Sequence, residues 1–325
     1  MEATNLSEPD SGLDLKLRPK KLHEFIGHQP IIDRLKVILG AAKQRNEVVD
    51  HLLFHGPPGL GKTTLANILA NEVETNIVTT SGPAIEKAGD LAGILTNLQE
   101  GDVLFIDEIH RLPRVLEEYL YSAMEDFTLD IMIDSGSSAR SVAVSLNRFT
   151  LIGATTRIAS LSAPLRSRFC FSIRLEYYED HALQDIVERS AKILGVKINS
   201  KAALEIAKRS RGTPRLTNNL LRWIRDFSQI HNNNVIDSDS VNRACKMIAI
   251  DAKGLDEMDK KILQLIIDQY SGGPVGVKAI AAALGEEETT VADVYEPYLI
   301  MKGFIKRTPR GREITKLAME HLVSD

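Results

Sequence analysis

HLLFHGPPGLGKTTLANILANEV, residues 51–73, decides the fold. A short apolar run reads as a buried strand, a turn rich in glycine and proline follows, and apolar residues at helical spacing complete the stretch. Within it, Gly56–Thr63 fits the pattern G-x-x-x-x-G-K-[ST] in the strand–loop–helix setting that this pattern needs. The chemistry asks for these residue types. Glycines such as Gly59 and Gly61 let backbone N–H groups wrap a phosphate, and the following helix N-terminus adds a favourable dipole. Lys62 then reaches the β- and γ-phosphates and the Thr63 hydroxyl ligates Mg²⁺.

Further along, VLFIDEIH (103–110) is a buried strand that ends in carboxylates. Asp107 lies where a phosphate-bound Mg²⁺ would sit, and Glu108 beside it can polarise a water, which favours hydrolysis over transfer to a second substrate. An acidic helix cap is the plainer reading of the same pair. More strand-like runs occur at 76–80, 149–155 and 169–175, mostly separated by helical patterns such as QPIIDRLKVILGAAKQR (29–45). That alternation predicts an α/β fold, a parallel sheet with helices on both faces. LDIMID (129–134) and VAVSL (142–146), on either side of a Gly/Ser turn, predict an inserted hairpin. Its apolar side chains have nothing of their own to bury against, so a partner surface is expected to cover them.

From 180 to 250 only helical patterns are apparent, as in a small all-α domain. The segment 255–325 opens on LDEMDKKILQLIIDQY, continues with short helices at 277–284 and 289–302, and ends in FIKRTPRGREIT. Helices followed by a hairpin outline a winged helix. Between Lys302 and Lys316 stand six basic residues against the single acid Glu313, although residues 252–325 as a whole are slightly acidic. A concentration of charge on one hairpin suits phosphate contacts on a nucleic-acid duplex, with an ordinary solvated face as the alternative. Aromatic residues are sparse there, which argues against stacking on single strands.

The net charge of −4 points to no particular partner. Two cysteines outside any CxxC or Cys/His cluster argue against a disulfide scaffold or zinc site and fit a reducing, cytoplasmic compartment. No apolar run approaches the length that spans a bilayer, and the polar start MEATNLSEPDSG is not a signal peptide. Arg166, Arg168 and Arg215 remain as arginines that could supply charge at a γ-phosphate, or simply be solvated. Thr155 and Thr156, at a strand end, could orient a water.

GPPGLGKTTLA, LFIDEIHRL, TLIGATTR, PLRSRF and RGTPR, in this order, resemble the AAA+ ATPases. LRPKKLHEFIGH, TTSGPAIEKAGDLAGILTNL, SAMEDFTLDIMI, GGPVGVKAIAAALGEE and EPYLIMKGFIKRTPRGR narrow the resemblance to the bacterial RuvB family of Holliday-junction motors, from about Leu13 to about Gly311. The resemblance implies a large ATPase domain over 1–178, a helical lid over 179–251 and a winged-helix head over 252–325. It implies ATP and Mg²⁺ as cofactors, with Leu17 and Arg18 by the base and ribose and with Gly59, Gly61, Lys62, Thr63 and Thr64 on the phosphates. Thr63 and Asp107 would hold the metal. Glu125, Asp126, Phe127 and Tyr178 would border the pocket, and Thr156 would belong with the nucleotide-site residues. Arg168 would be the finger offered to a neighbouring subunit, and Arg215 the lid's sensor. Arg307 and Arg312, flanking the TPRG turn with both guanidiniums at the hairpin tip, would contact DNA.

The partners implied are double-stranded DNA at four-way junctions, a RuvA-like protein docking on the 129–146 hairpin, a RuvC-like resolvase and further copies in a homohexameric ring, with no membrane. Phe127, Cys170 and Trp223 depart from residues common at their positions. A clamp-loader ATPase and an ATP-switched DNA-binding regulator are the competing readings; the winged helix and hairpin argue against the first, and intact Lys62, Asp107, Glu108 and Arg168 against the second.

Overall fold

The computed structural model describes residues 11–132, 141–232 and 234–324. They form two compact units, one built from the described residues up to Ile193 together with Gly212–Asn219, the other from Leu194–Arg211 and the chain from Leu220 onward.

The first unit contains strands β1 (Leu52–His55), β2 (Ile77–Ser81), β3 (Val103–Asp107), β4 (Thr128–Met132), β5 (Ser141–Ser145), β6 (Thr150–Thr155) and β7 (Phe171–Arg174). Five of these make one sheet in the order β2-β3-β6-β1-β7, and every neighbouring pair runs parallel. The three central strands are continuous apolar runs because helices cover both of their faces. All five strands fall where the sequence predicts them. One core cluster packs Leu91, Leu104, Ile106, Leu116, Leu120, Leu151 and Leu165 beneath the sheet. His51, just ahead of β1, is a polar pin within this unit. Its Nδ1 accepts the Leu151 N–H at 2.9 Å, so the ring's proton is on Nε2, which donates to the Met124 carbonyl at 3.1 Å. Burial holds this imidazole below its ordinary pKa and so keeps it neutral.

β4 and β5 form the inserted antiparallel hairpin, with Leu129 opposite Val144. Its base is anchored: Leu129 is buried in the core cluster and Leu146 packs against it, whereas Val142 is exposed. The apolar face expected to need a partner is therefore partly satisfied within the chain. Ile133 and the turn at 135–140 lie outside the described residues.

The second unit starts with lid helices Ser200–Arg209 and Ser238–Met247 and the later turns of Pro214–His231. The expectation of helices alone is corrected here, because β8 (Lys197–Ile198) and β9 (Val235–Ile236) pair in parallel. Two residues are too few to leave a periodic signal. The head follows with helices Glu257–Tyr270 and Val277–Leu284, a helical stretch 288–301, and the antiparallel wing of β10 (Ile305–Thr308) and β11 (Gly311–Ile314). A further helix, Lys316–Ser324, was not evident in the sequence.

Arg211 ties lid residues to the head inside this unit. Its guanidinium donates to Asp256 at 2.9 Å and to Asp259, its Nε donates to the Gly254 carbonyl, and its plane lies 4.9 Å over the Tyr298 ring. Asp256 and Asp259 also close a capping box at the start of Glu257–Tyr270. Asp259 is 0 % exposed, and burial pushes its carboxyl up to about 7 against the pull of Arg211. A carboxyl raised in the folded state contributes stability below the unfolded value of 3.8 and loses it as pH rises through about 7. Arg211→Ala removes the cation that opposes burial, so Asp259 should keep its proton to higher pH and the second unit should lose stability as pH rises above 7, by up to about 1.4 kcal/mol per pH unit. The loss should shrink on acidification toward pH 5, where Asp259 takes up a proton. Urea unfolding followed by the fluorescence of Trp223, the sole tryptophan, checks both the size and the pH trend.

Candidate functional site

The turn after β1 is shaped by glycine. Gly56 has φ of 138° and its position would place a Cβ 2.2 Å from the Leu175 carbonyl oxygen, so no side chain fits. Gly59 has φ of 78°, and the Arg215 backbone N–H donates to its carbonyl at 3.4 Å, which brings the RGTPR segment against the loop. Lys62 opens the helix Lys62–Glu72, is only 7 % exposed, and donates from Nζ to the Gly56 and Pro57 carbonyls, each at 2.9 Å. Burial lowers its pKa, while Asp107 and Glu108 pull it back up.

β3 delivers Asp107 and Glu108 to the same edge. Asp107 Oδ1 accepts the Glu108 N–H at 2.9 Å, and the Asp107 carboxyl also bonds to the Thr63 side chain. Burial raises Asp107 above the ordinary carboxylate range, opposed by that backbone N–H and by Lys62. Glu108 adopts left-handed backbone geometry with φ of 46°. Its Oε2 accepts the Thr156 hydroxyl at 3.1 Å and lies 3.1 Å from His110 Nδ1.

Gly59, Lys62, Thr63, Asp107 and Glu108 share a cleft of ≈ 440 Å³, of a size that suits a nucleotide. Leu17, Arg18, Gly59, Gly61, Lys62, Thr63, Thr64, Asp107, Glu108, Tyr178 and Arg215 all line it. Tyr178 stitches its walls together: its hydroxyl donates to the Leu60 carbonyl at 3.2 Å and its N–H donates to the Gly212 carbonyl at 2.9 Å. Burial raises its phenol pKa, so the hydroxyl stays protonated as a donor. Sequence reasoning missed Arg189 and Asn218, which line the same cleft. Arg189 donates to the Leu17 carbonyl at 2.8 Å, and Asn218 accepts from the Ser190 hydroxyl at 2.8 Å. On an amphipathic helix Arg189 is indistinguishable by sequence from a solvated charge.

Glu125, Asp126, Phe127, Thr156 and Arg168 do not line the cleft. Thr156 stands behind Glu108, and the others gather elsewhere. Arg168 donates to Glu125 Oε2 at 2.9 Å and to the Pro164 carbonyl at 3.0 Å, with its plane 4.4 Å over the Tyr121 ring. Arg166 is exposed nearby. Phe127 sets its ring edge-on to Phe149 at 5.9 Å, with Arg148 5.4 Å above it. Cys170 is exposed, and Trp223 donates from its indole to the Ala244 carbonyl at 2.9 Å.

On the wing, Arg307 and Arg312 face one another across β10 and β11 beside the TPRG turn. The expectation that both guanidiniums reach outward is corrected for Arg312. It is 8 % exposed and donates from Nε and Nη2 to the two carboxylate oxygens of Glu296, at 3.0 and 2.7 Å. The Arg307 side chain is 68 % exposed, with Nε 3.9 Å from Glu296. Arg310 stands exposed in the turn.

A parallel sheet of this strand order with a phosphate loop, adjoining carboxylates and an arginine from a following helix defines a P-loop ATPase of the AAA+ class. The chain matches the Holliday junction DNA helicase RuvB P-loop domain over residues 17–175, the RuvB AAA lid domain over 178–251 and the RuvB C-terminal winged helix domain over 252–323. It is 65% identical over 320 residues to the Holliday junction branch migration complex subunit RuvB of Protochlamydia amoebophila, covering 98% of this chain and 96% of that one. Its identity to the corresponding subunit of Flavobacterium johnsoniae is 59% over 310 residues, 95% and 91% of the two chains. The solved Holliday junction branch migration motor RuvB of Thermotoga maritima superposes with a TM-score of 0.85 at 51% identity, covering 95% of this chain and 98% of that chain. The chain belongs to the RuvB family.

The Arg312–Glu296 pair gives the wing a stability signature distinct from any role in binding. Arg312→Ala is expected to destabilise the head by about 3–5 kcal/mol, because the Glu296 carboxylate is left buried and unpaired. Arg307→Ala, on an exposed side chain, should leave stability within about 0.5 kcal/mol. Thermal unfolding of the two variants checks the contrast.

Proposed function

We propose that this chain is the ATP-hydrolysing subunit of a motor that drives branch migration of Holliday junctions in DNA recombination and repair. The observation that carries this reading is the gathering of Lys62, Thr63, Asp107, Glu108 and Arg215 on one cleft, in a chain that also bears a winged-helix head. In this reading ATP lies with its phosphates on Gly59, Gly61, Lys62, Thr63 and Thr64 and its base and ribose by Leu17, Arg18 and Tyr178. Glu108 activates the attacking water, with Thr156 holding the carboxylate. The Thr63 hydroxyl and Asp107 carboxylate fit Mg²⁺, a hard cation that takes oxygen ligands. The burial that raises the Asp107 pKa is a cost that a cation would offset. When bound, the ion supplies positive charge to the phosphates.

The position of Arg168 supports a role in trans, within a ring of identical subunits that we take to be a hexamer. It stands away from its own chain's cleft, oriented by Glu125 and Tyr121. Glu125, Asp126 and Phe127 then belong to the border of the neighbour's site. The functional division is into 1–178, 179–251 and 252–325. The 129–146 hairpin, with Val142 exposed, docks a RuvA-like partner, and a RuvC-like resolvase joins the larger assembly. The setting is the bacterial cytoplasm, and among the described residues no helix is long and apolar enough to cross a membrane.

If Arg168 acts in trans, Arg168→Ala and Lys62→Ala proteins, each inactive alone, should regain part of the ATPase activity when mixed, since some interfaces then carry both residues intact. Strictly proportional loss in rings shown to be mixed would place Arg168 in a cis or structural role.

The DNA reading rests on Arg307, with Arg312 acting by holding the wing. Arg307→Ala should weaken duplex binding equally for unrelated sequences, because phosphate contacts carry no sequence information. It should also reduce the slope of log K against log salt by roughly one unit. Isotherms at several salt concentrations on two unrelated duplexes decide it, and an unchanged slope returns Arg307 to the solvated surface.

A further inference from the structure

Beside Glu108, outside the cleft lining, lies a further polar group, His110 with Thr155. His110 sits in the one-turn 3₁₀ segment Ile109–Arg111 that follows β3. Its Nδ1 is 2.9 Å from the hydroxyl of Thr155, the fully buried last residue of β6, and 3.1 Å from Glu108 Oε2. The Thr155 oxygen already accepts the Arg157 N–H at 3.0 Å, and Glu108 Oε2 already accepts the Thr156 hydroxyl. His110 lies in neither the phosphate loop nor the cleft lining.

The neighbours assign the tautomer. An unprotonated Nδ1 would set its lone pair against that of an anionic carboxylate oxygen at 3.1 Å. A proton on Nδ1 instead serves both Glu108 Oε2 and the Thr155 oxygen. With Thr156 as the second donor, Oε2 is fixed to the end of β6, and the carboxylate's torsion is set. Oε1 is then the oxygen that can take a proton from a water in the cleft. Glu108 is itself held in a left-handed backbone conformation, the kind of strained geometry that persists only where surrounding contacts over-determine it.

We propose that His110 is a positioning residue for ATP hydrolysis, acting through a hydrogen bond from Nδ1–H to Glu108. This rests on the reading of Glu108 as the group that activates water. His110 does not line the cleft and acts only through Glu108, determining which carboxylate oxygen faces the reaction.

Steady-state ATPase, nucleotide affinity and melting temperature of the full chain test it in four variants. His110→Phe, which keeps a ring and removes both nitrogens, should lower kcat by about 10- to 100-fold, the scale of a catalytic group misplaced by about 1 Å. KM for ATP and nucleotide affinity should stay within about twofold, since the interaction serves the transition state alone. The discriminating pair is His110→Asn and His110→Gln. An asparagine amide nitrogen can stand where Nδ1 stands, so it should restore most of the turnover. A glutamine amide reaches the Nε2 position instead and should not. Should His110→Phe fail to fold, the Asn–Gln contrast decides the question. Wild-type turnover in His110→Phe overturns the proposal, as do losses in Asn and Gln that merely follow melting temperature. Glu108→Gln separates the two levels of the argument. Wild-type turnover there overturns the reading of Glu108 itself, whereas an inactive Glu108→Gln beside a fully active His110→Phe overturns only the role of His110.

Discussion

Lys62, Asp107 and Glu108 are brought together at the carboxyl edge of a parallel sheet, out of full contact with water, and must compensate one another. Burial lowers the Lys62 pKa and raises that of Asp107; the two carboxylates pull Lys62 back up, while the Glu108 N–H and the charge of Lys62 pull Asp107 back down. A sheet whose central strands are apolar from end to end can carry ionic groups only where the strands stop. β1 stops at a loop of left-handed glycines, β3 at two carboxylates and β6 at two threonines. The site is the set of strand ends, and the strand order β3-β6-β1 puts these three ends side by side.

The remaining polar groups of the first unit are arranged around that edge in two different ways. Tyr178, Arg189 and Arg215 close the cleft from segments far along the chain and depend on backbone contacts, such as Tyr178 N–H to Gly212 and Arg215 N–H to Gly59. Arg168 and Glu125 do the reverse, engaging each other and an aromatic face away from the cleft. A cation of this kind, in the trans role proposed for Arg168, would link hydrolysis to assembly. A cation held permanently in its own cleft would not.

Much of this was legible in the sequence, for a physical reason. Strands buried on both faces must be uninterrupted apolar runs, and a phosphate loop must have glycines at fixed spacing, so both leave strong local patterns. The eleven predicted pocket residues that line the cleft fall in or beside such patterns, or match the family's elements. What was not legible depended on pairings between distant segments. The β8–β9 ladder is too short for periodicity, and the tautomer of His51 is set by Leu151 and Met124. Arg189 and Arg312 read as surface charge until their partners, the Leu17 carbonyl and Glu296, are in place.

Arg312 shows how such a pairing turns a charged run into a device. Its backbone exchanges hydrogen bonds with Val275, N–H to carbonyl in both directions, which fixes β11 against the segment before Val277–Leu284. Its side chain is drawn inward to Glu296, on the helix leading into the wing. Adjacent residues of a strand point to opposite faces and cross-strand partners share one, so Arg307 lies on the Arg312 side. Glu296 is already engaged twice by Arg312, and Arg307 approaches it only to 3.9 Å. The buried ion pair thus occupies the carboxylate that would otherwise capture the exposed arginine. One arginine neutralises the acid beneath the wing, and the other keeps its charge exposed.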